Sequence, residues 1–356
     1  MFSLYLYEVM FQLYVFNAYG RENIRNTDWY INASDGDNHS VCLTTRILDN
    51  STITNRTHVG NKVEGKTAIL LLIVGSTARL PSIVATLILG PISDRFGRKP
   101  ALLVVLIGMI LQCSLVLIIV QKHLNLYLFI LSAGFRGLTG GIAGILTASY
   151  SYVADISSKK WLTIRLGVLE SMIFIAGSLS LVIGGVMIHF SECSFTLPAI
   201  LSFACVVGAL PYTLIALPES LDRDERDNDR AVQTRMLGPK ALLRGLHIFF
   251  GKCYARWRLW LCLLIMFITI ANISGTTTVI TLYLLHWPLQ WDPLKIGVFL
   301  GSSELVHGLG LIVALPILVH SGTRDSVIVL MAVFLTCMMD VCLGLANKTW
   351  QVFASE

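Results

Sequence analysis

Long apolar runs alternate with short polar interruptions from one end of this chain to the other. Nine runs approach the length that crosses a bilayer, at about 1–19, 67–91, 101–120, 125–153, 166–189, 196–217, 259–285, 298–319 and 326–345. About 20 residues rising ~1.5 Å each cover a ~30 Å hydrocarbon core. A helix satisfies every backbone polar group within one such segment, so each run is predicted to be a helix. The expected fold class is all-α, a polytopic membrane protein. Only 14% of the residues are charged. Soluble domains carry about 25% and hide few helices that are apolar all round.

The polar interruptions give the orientation. Residues 20–66 form a long loop with Asn-X-Ser/Thr sequons at Asn32, Asn38, Asn50 and Asn55. Glycosylation acceptors face the lumen or the exterior, so this loop is outside and the N-terminus inside. Asn347 opens another sequon beyond the ninth run, again on the outer side. Asn272 matches too, but lies within an apolar run and is expected to be unused. Lys and Arg agree: 16 of the 27 fall in the inner loops and 9 in the outer segments. The division expected is an N-terminal six-helix half over 1–217, a cytoplasmic linker over 218–258 and a partial C-terminal half of three helices over 259–356. Within the linker, Leu221 to Arg230 is rich in charge and reads as a disordered tether.

The net charge of +5 is explained by these loops and gives no reason to expect nucleic acid. The eight cysteines show no CxxC pair and no metal spacing. No cofactor and no metal are expected, and no catalytic constellation or nucleotide motif points to an enzyme.

One interruption is unusual. "GPISDRFGRKP", Gly90 to Pro100, sets Asp94, Arg95, Arg98 and Lys99 between two apolar runs. Basic residues there anchor an inner turn, and Gly90 and Gly97 let the backbone turn tightly. Asp94 suits either an Arg partner or the cap of the next helix. The spacing G-x-x-x-D-R-x-G-R-K resembles the signature loop of the major facilitator superfamily. That resemblance implies two six-helix halves, a substrate site between them and alternating access. By it, about nine of twelve expected helices are present, and Asp94 and Arg98 have a gating role.

"ASYSYVADISSKKWLTIRLGVLES", Ala148 to Ser171, is similar to the proton-coupled folate transporter family of solute carriers, with its thymic and lysosomal relatives. "LYLLHWPLQWDPLKIG", Leu282 to Gly297, resembles the same family's outer connection between helices seven and eight. The resemblance implies that Glu170 is a proton-coupling glutamate on helix five and that Asp155 is an acid at the inner end of helix four. Two departures stand out. Gln290 replaces the cysteine that the folate transporter's pattern pairs with the outer loop, which leaves Cys193 as the candidate partner of Cys42. Helix seven also lacks that transporter's intramembrane histidine, and His286 lies only at its outer edge.

Ionisable groups inside a span are costly and face a cavity or a partner. Arg79 and Arg136 lie near the midplane, where transporters bind substrate. Their guanidinium forks suit a carboxylate ligand, and internal acids are the alternative partners. Glu170 lies one to two turns inside span five, where a desolvated carboxyl loads and unloads a proton near neutral pH. An ion pair with Arg136 is the alternative. Glu304 and His307 share one face of span eight at i and i+3, as a second proton site or as packing. Glu8 and Asp340 are further acids in spans with no role assigned by sequence. "GFRGLTGGIAG", Gly134 to Gly144, lacks the Gly-Lys-Ser/Thr of a phosphate loop and reads as small-residue helix packing.

These features predict a proton-coupled secondary transporter of an organic anion, folate-like by resemblance. Its partners are then the anion, protons and the bilayer, in the plasma membrane or the lysosomal membrane. Nine spans are three short of twelve, so the chain is also expected to be a fragment or short isoform. The second reading is a non-transporting membrane protein that binds or regulates a full-length relative.

Overall fold

The computed structural model describes residues 1–25, 53–158, 161–191, 194–219, 256–285, 291, 293–321, 325–344 and 351. Among these lie ten helices: α1 (Phe2–Arg25), α2 (Ile53–Phe96), α3 (Arg98–Lys122), α4 (Leu128–Leu138), α5 (Gly141–Asp155), α6 (Leu162–Phe190), α7 (Thr196–Ile215), α8 (Arg256–Leu285), α9 (Pro293–His320) and α10 (Asp325–Gly344). Each expected span coincides with a helix, except that the fourth is broken into α4 and α5. Asn32, Asn38, Asn50, Asn347, His286, Gln290, Cys42, Cys193 and most of the linker lie outside the described residues. Asn55 falls within α2, which begins well before its apolar stretch.

Six helical segments among the described residues are long and apolar enough to cross a membrane: Gly65–Asp94, Arg98–Lys122, Leu128–Asp155, Leu162–Phe190, Thr196–Ile215 and Leu294–Leu318. Their outward faces carry large exposed apolar side chains such as Leu72, Leu80, Phe190 and Ile215. A patch of that size in water is a liability; against lipid it is the required surface. Two shorter apolar helices lie within α8 and α10, at Leu263–Asn272 and Leu330–Gly344.

Helix α1 is not among the six because of its polar positions, yet it sits at the centre of the bundle. It packs on α2, α6 and α7. Leu6, Met10 and Val15 are fully buried. Tyr7 stacks on Phe11 at 5.5 Å, and Phe129 of α4 closes on Phe11 at 4.7 Å. Tyr14 meets Phe195 edge-on at 5.4 Å. Offset and edge-on ring pairs of this kind favour one packing over its neighbours. Tyr5, Glu8 and Gln12 stay partly accessible. Their spacing of three and four puts them on one stripe of the helix.

The break in the fourth span changes the reading of its glycines. Gly140 has φ 95° and Gly141 φ 51°, values that a side chain tolerates poorly. These two turn the chain; the expected helix packing belongs to the other two. A Cβ on Gly137 would stand 2.6 Å from the Ala78 carbonyl, and one on Gly144 would stand 3.0 Å from Val105. Backbone freed inside a membrane needs partners. The Ser82 hydroxyl supplies one, donating to the Gly140 carbonyl at 2.6 Å. Thr139 fills a notch at Gly108 of α3, where a Cβ would lie 1.8 Å from its Oγ1.

Helices α6 and α9 form a close seam between the two parts of the chain. A Cβ on Gly297 would meet the Leu181 carbonyl at 2.6 Å, one on Gly301 the Ser178 carbonyl at 3.0 Å, and one on Gly308 the Ser171 carbonyl at 3.2 Å. Small residues one turn or two apart let membrane helices approach this closely, where dispersion between backbones substitutes for a hydrophobic driving force.

Candidate functional site

The seam delivers its polar residues to the accessible stripe of α1. Glu304 lies between Gly301 and Gly308, so it is carried on the side of α9 that presses on α6. The Tyr5 ring lies against Gly177 of α6, with two ring carbons 3.2 Å from where a Cβ would be. Glu8 of α1, Glu170 of α6 and Glu304 of α9 all lie in the neighbourhood of the Tyr5 hydroxyl. Glu170 is partly buried and accepts a hydrogen bond from the Tyr150 hydroxyl of α5. His307 is exposed on α9, its ring 5.9 Å from that of Phe174.

The two intramembrane arginines have different surroundings. Arg79 is exposed on α2. Arg136 is buried in the last turn of α4, with its guanidinium carbon 5.7 Å from the centre of the Tyr7 ring. Neither forms an ion pair with an acid among the described residues, and the Arg136–Glu170 pair is absent. Asp340 accepts a hydrogen bond from the Asn272 amide at 2.8 Å, which ties α10 to α8.

At the end of the helices expected to face the cytoplasm, the charged island forms a second polar cluster. Helix α2 continues through Asp94 to Phe96, so the turn is shorter than the sequence implies. Gly90 sits within that helix with open space around it. Gly97 alone makes the turn, at φ 112° and ψ 159°. That backbone region is essentially closed to side chains and costs about 1–3 kcal/mol for them. Gly97→Ala is therefore expected to lower the midpoint of thermal unfolding clearly, whereas Gly90→Ala leaves it unchanged or slightly raised. Equal effects of the two would show that the turn is not strained.

Arg98 is the hub of this cluster. Its Nε donates to Asp155 at 2.8 Å, and its Nη1 donates to Asp94 and, at 3.2 Å, to Ser93. Asp94 is 53% exposed and Asp155 28%, so the Asp155 pair is the better shielded from water. Asp94 does not cap α3. The carboxylate of Glu219, just after α7, accepts the Arg98 backbone N–H at 2.8 Å instead. Lys99 donates to the Leu214 carbonyl at 2.6 Å and Tyr152 to the Pro218 carbonyl at 3.2 Å. The inner ends of α2, α3, α5 and α7 are thereby tied together. The Arg95 side chain lies outside the described residues.

Sequence reasoning missed several of these contacts. The stripe at Tyr5, Glu8 and Gln12 is visible as a spacing of three and four in an otherwise apolar helix. Tyr150 has no such signal, because it reaches Glu170 across a turn. Glu219 belongs to a polar stretch where any one acid looks like another.

A helix bundle of this kind, with large apolar faces outward and a charged cluster at one end, is a multi-pass integral membrane protein. The sequence profile of the Major Facilitator Superfamily matches residues 63–355, and the chain belongs to that family. Among individual proteins it is similar to the proton-coupled folate transporter of Bos taurus, 29% identical over 249 residues, which is 70% of this chain and 53% of that protein. The rat proton-coupled folate transporter (Rattus norvegicus) is 28% identical over 221 residues, 62% of this chain and 46% of that one. The lysosomal proton-coupled steroid conjugate and bile acid symporter SLC46A3 of Bos taurus is 26% identical over 243 residues, 66% and 51% of the two chains. The chain spans about half the length of the curated relatives it matches.

Proposed function

We propose that this protein is a proton-coupled secondary transporter that carries an organic anion by alternating access. The observation that carries the reading is the placement of Glu170. It is partly buried at the meeting of α5 and α6 and accepts a hydrogen bond from Tyr150, with Tyr5, Glu8 and Glu304 in its neighbourhood. A carboxyl held by a phenol in this way is placed to take up and pass on a proton. Relatives whose names record proton coupling and anionic cargo, folate or steroid conjugates and bile acids, support the same reading.

In this reading Glu170 is the main proton acceptor, and Glu304 and His307 are a second site on the opposing helix. Arg136 holds the acid group of the substrate, and Arg79 offers an accessible cation on α2. Asp94, Arg98, Lys99 and Asp155 latch the inner side, with Gly97 setting the turn between α2 and α3. The six-helix N-terminal half and the part after the linker move against each other along the α6–α9 seam. The substrate class is a folate-like or similarly carboxylated solute, and the membrane is the plasma membrane or that of the lysosome. The four sequons of the outer loop carry glycans.

The test is uptake of labelled folate-type and steroid-conjugate anions into proteoliposomes that contain the protein. Uptake is expected to rise when the outside is made acid and to collapse with a protonophore. Uptake indifferent to the proton gradient would overturn proton coupling, and no uptake of any anion would overturn the transport reading.

A further inference from the structure

We infer that Arg136, Tyr7 and Gln112 form a buried pocket for one compact anionic group, a carboxylate or a small inorganic anion. The three side chains come from α4, α1 and α3. Each is more than nine-tenths buried, with 8%, 3% and 1% of its surface exposed. Arg136 Nη1, Tyr7 Oη and Gln112 Nε2 are all without a hydrogen-bond partner among the described residues. Tyr7 links them: the Arg136 guanidinium carbon lies 5.7 Å from the centre of its ring, and Gln112 lies within weak hydrogen-bonding reach of its hydroxyl, a contact too poorly aligned to satisfy either group.

An orphaned buried donor is costly, and buried polar groups are almost always paired. Three adjacent orphans that can all donate are complementary to a single acceptor. The choice among acceptors follows from charge. A guanidinium is a permanent cation, so the site carries a full positive charge. The α4 C-terminus offsets it by only about half a charge. Glu8 is next to Tyr7 in sequence but belongs to the accessible stripe with Tyr5, and it makes no ion pair with Arg136. A water molecule would satisfy the hydroxyl and the amide but leave the charge unbalanced. An anion does both, and charge-assisted bonds to a guanidinium are the stronger kind.

The grouping of the three buried side chains is a property of the fold. Only the identity of its occupant rests on the transport reading, which supplies a substrate carboxylate. A free inorganic anion is the other source of the same chemistry.

The experiment is thermal unfolding of the full 356-residue protein in detergent, with ionic strength held by a bulky sulfonate. Acetate, chloride and uncharged acetamide are the probes. Anions are expected to raise the midpoint by several degrees and acetamide not at all. Acetate without chloride would point to a carboxylate occupant; chloride, with or without acetate, would point to a free anion.

Arg136→Gln is expected to abolish the shift and to keep or raise the anion-free midpoint, since it removes an unbalanced buried charge. Gln112→Leu is expected to weaken the apparent affinity about tenfold while the protein still folds. No shift with either anion would overturn the pocket, and so would a shift that survives in Arg136→Gln. Loss of the shift with acid-stimulated uptake intact would sink the pocket alone. A shift without uptake would sink the transport reading alone.

Discussion

Glu170→Gln is expected to reduce uptake driven by an inward proton gradient at least tenfold, and to leave exchange of substrate across the membrane nearly unchanged. Glutamine keeps the size of the side chain and an oxygen for the Tyr150 hydroxyl, but it cannot take up a proton. Exchange requires the loaded carrier to turn over, and a neutral amide mimics the protonated acid in that state. Net uptake requires the proton to leave on the inner side, a step the amide cannot perform. A tenfold loss corresponds to about 1.4 kcal/mol. The measurement is a paired assay in one proteoliposome preparation: acid-driven uptake, and counterflow at equal pH on both sides. Equal loss of both modes would mean that Glu170 holds structure or substrate and that another acid, with Glu304 first in line, carries the proton.

Gly301→Leu should do large structural damage to the α6–α9 seam. The added Cβ would stand 2.5 Å from Val182 Cγ2 and 3.0 Å from the Ser178 carbonyl. The methyl can rotate away, but the carbonyl is fixed in the hydrogen-bond ladder of α6. Overpacking of this kind costs about 1–3 kcal/mol, and more when backbone is in the way. The expected result is a large drop in the yield of monodisperse protein and a lowered unfolding midpoint. Gly310→Leu on the same helix is the control, because no atom lies within 4 Å of the new Cβ. If both variants behave alike, the close approach of α6 and α9 is not what joins the parts of the bundle.

Length and apolarity made the helices legible, and six of them among the described residues meet the demands a membrane makes of a helix that crosses it. The same criterion hides what happens inside a span. Gly140 and Gly141 read as packing glycines, and only their positive φ values reveal a break. The charged island was legible as a motif, yet its partners were not. Glu219 and Leu214 reach it from α7 and beyond, more than a hundred residues away in sequence. Arg136 was legible as a costly charge near the midplane. That it faces Tyr7 and Gln112 and not Glu170 depends on helix rotation, which an apolar sequence does not encode in its pattern. Glu8 had no visible role until the stripe on α1 was set against α6 and α9.

The broken fourth span has a mechanical meaning. Above the break, the rod that holds Arg136 is fixed against α2 by Gly137. Below it, α5 is a separate rod of 15 residues. That lower rod grips Glu170 through Tyr150 and Arg98 through Asp155, two points about 7.5 Å apart along its axis. A rod this short hardly bends, so a shift at one grip is transmitted to the other as torque. In the proposed transport cycle, the Arg98 cluster and the acid at Glu170 are geared together through this one rod.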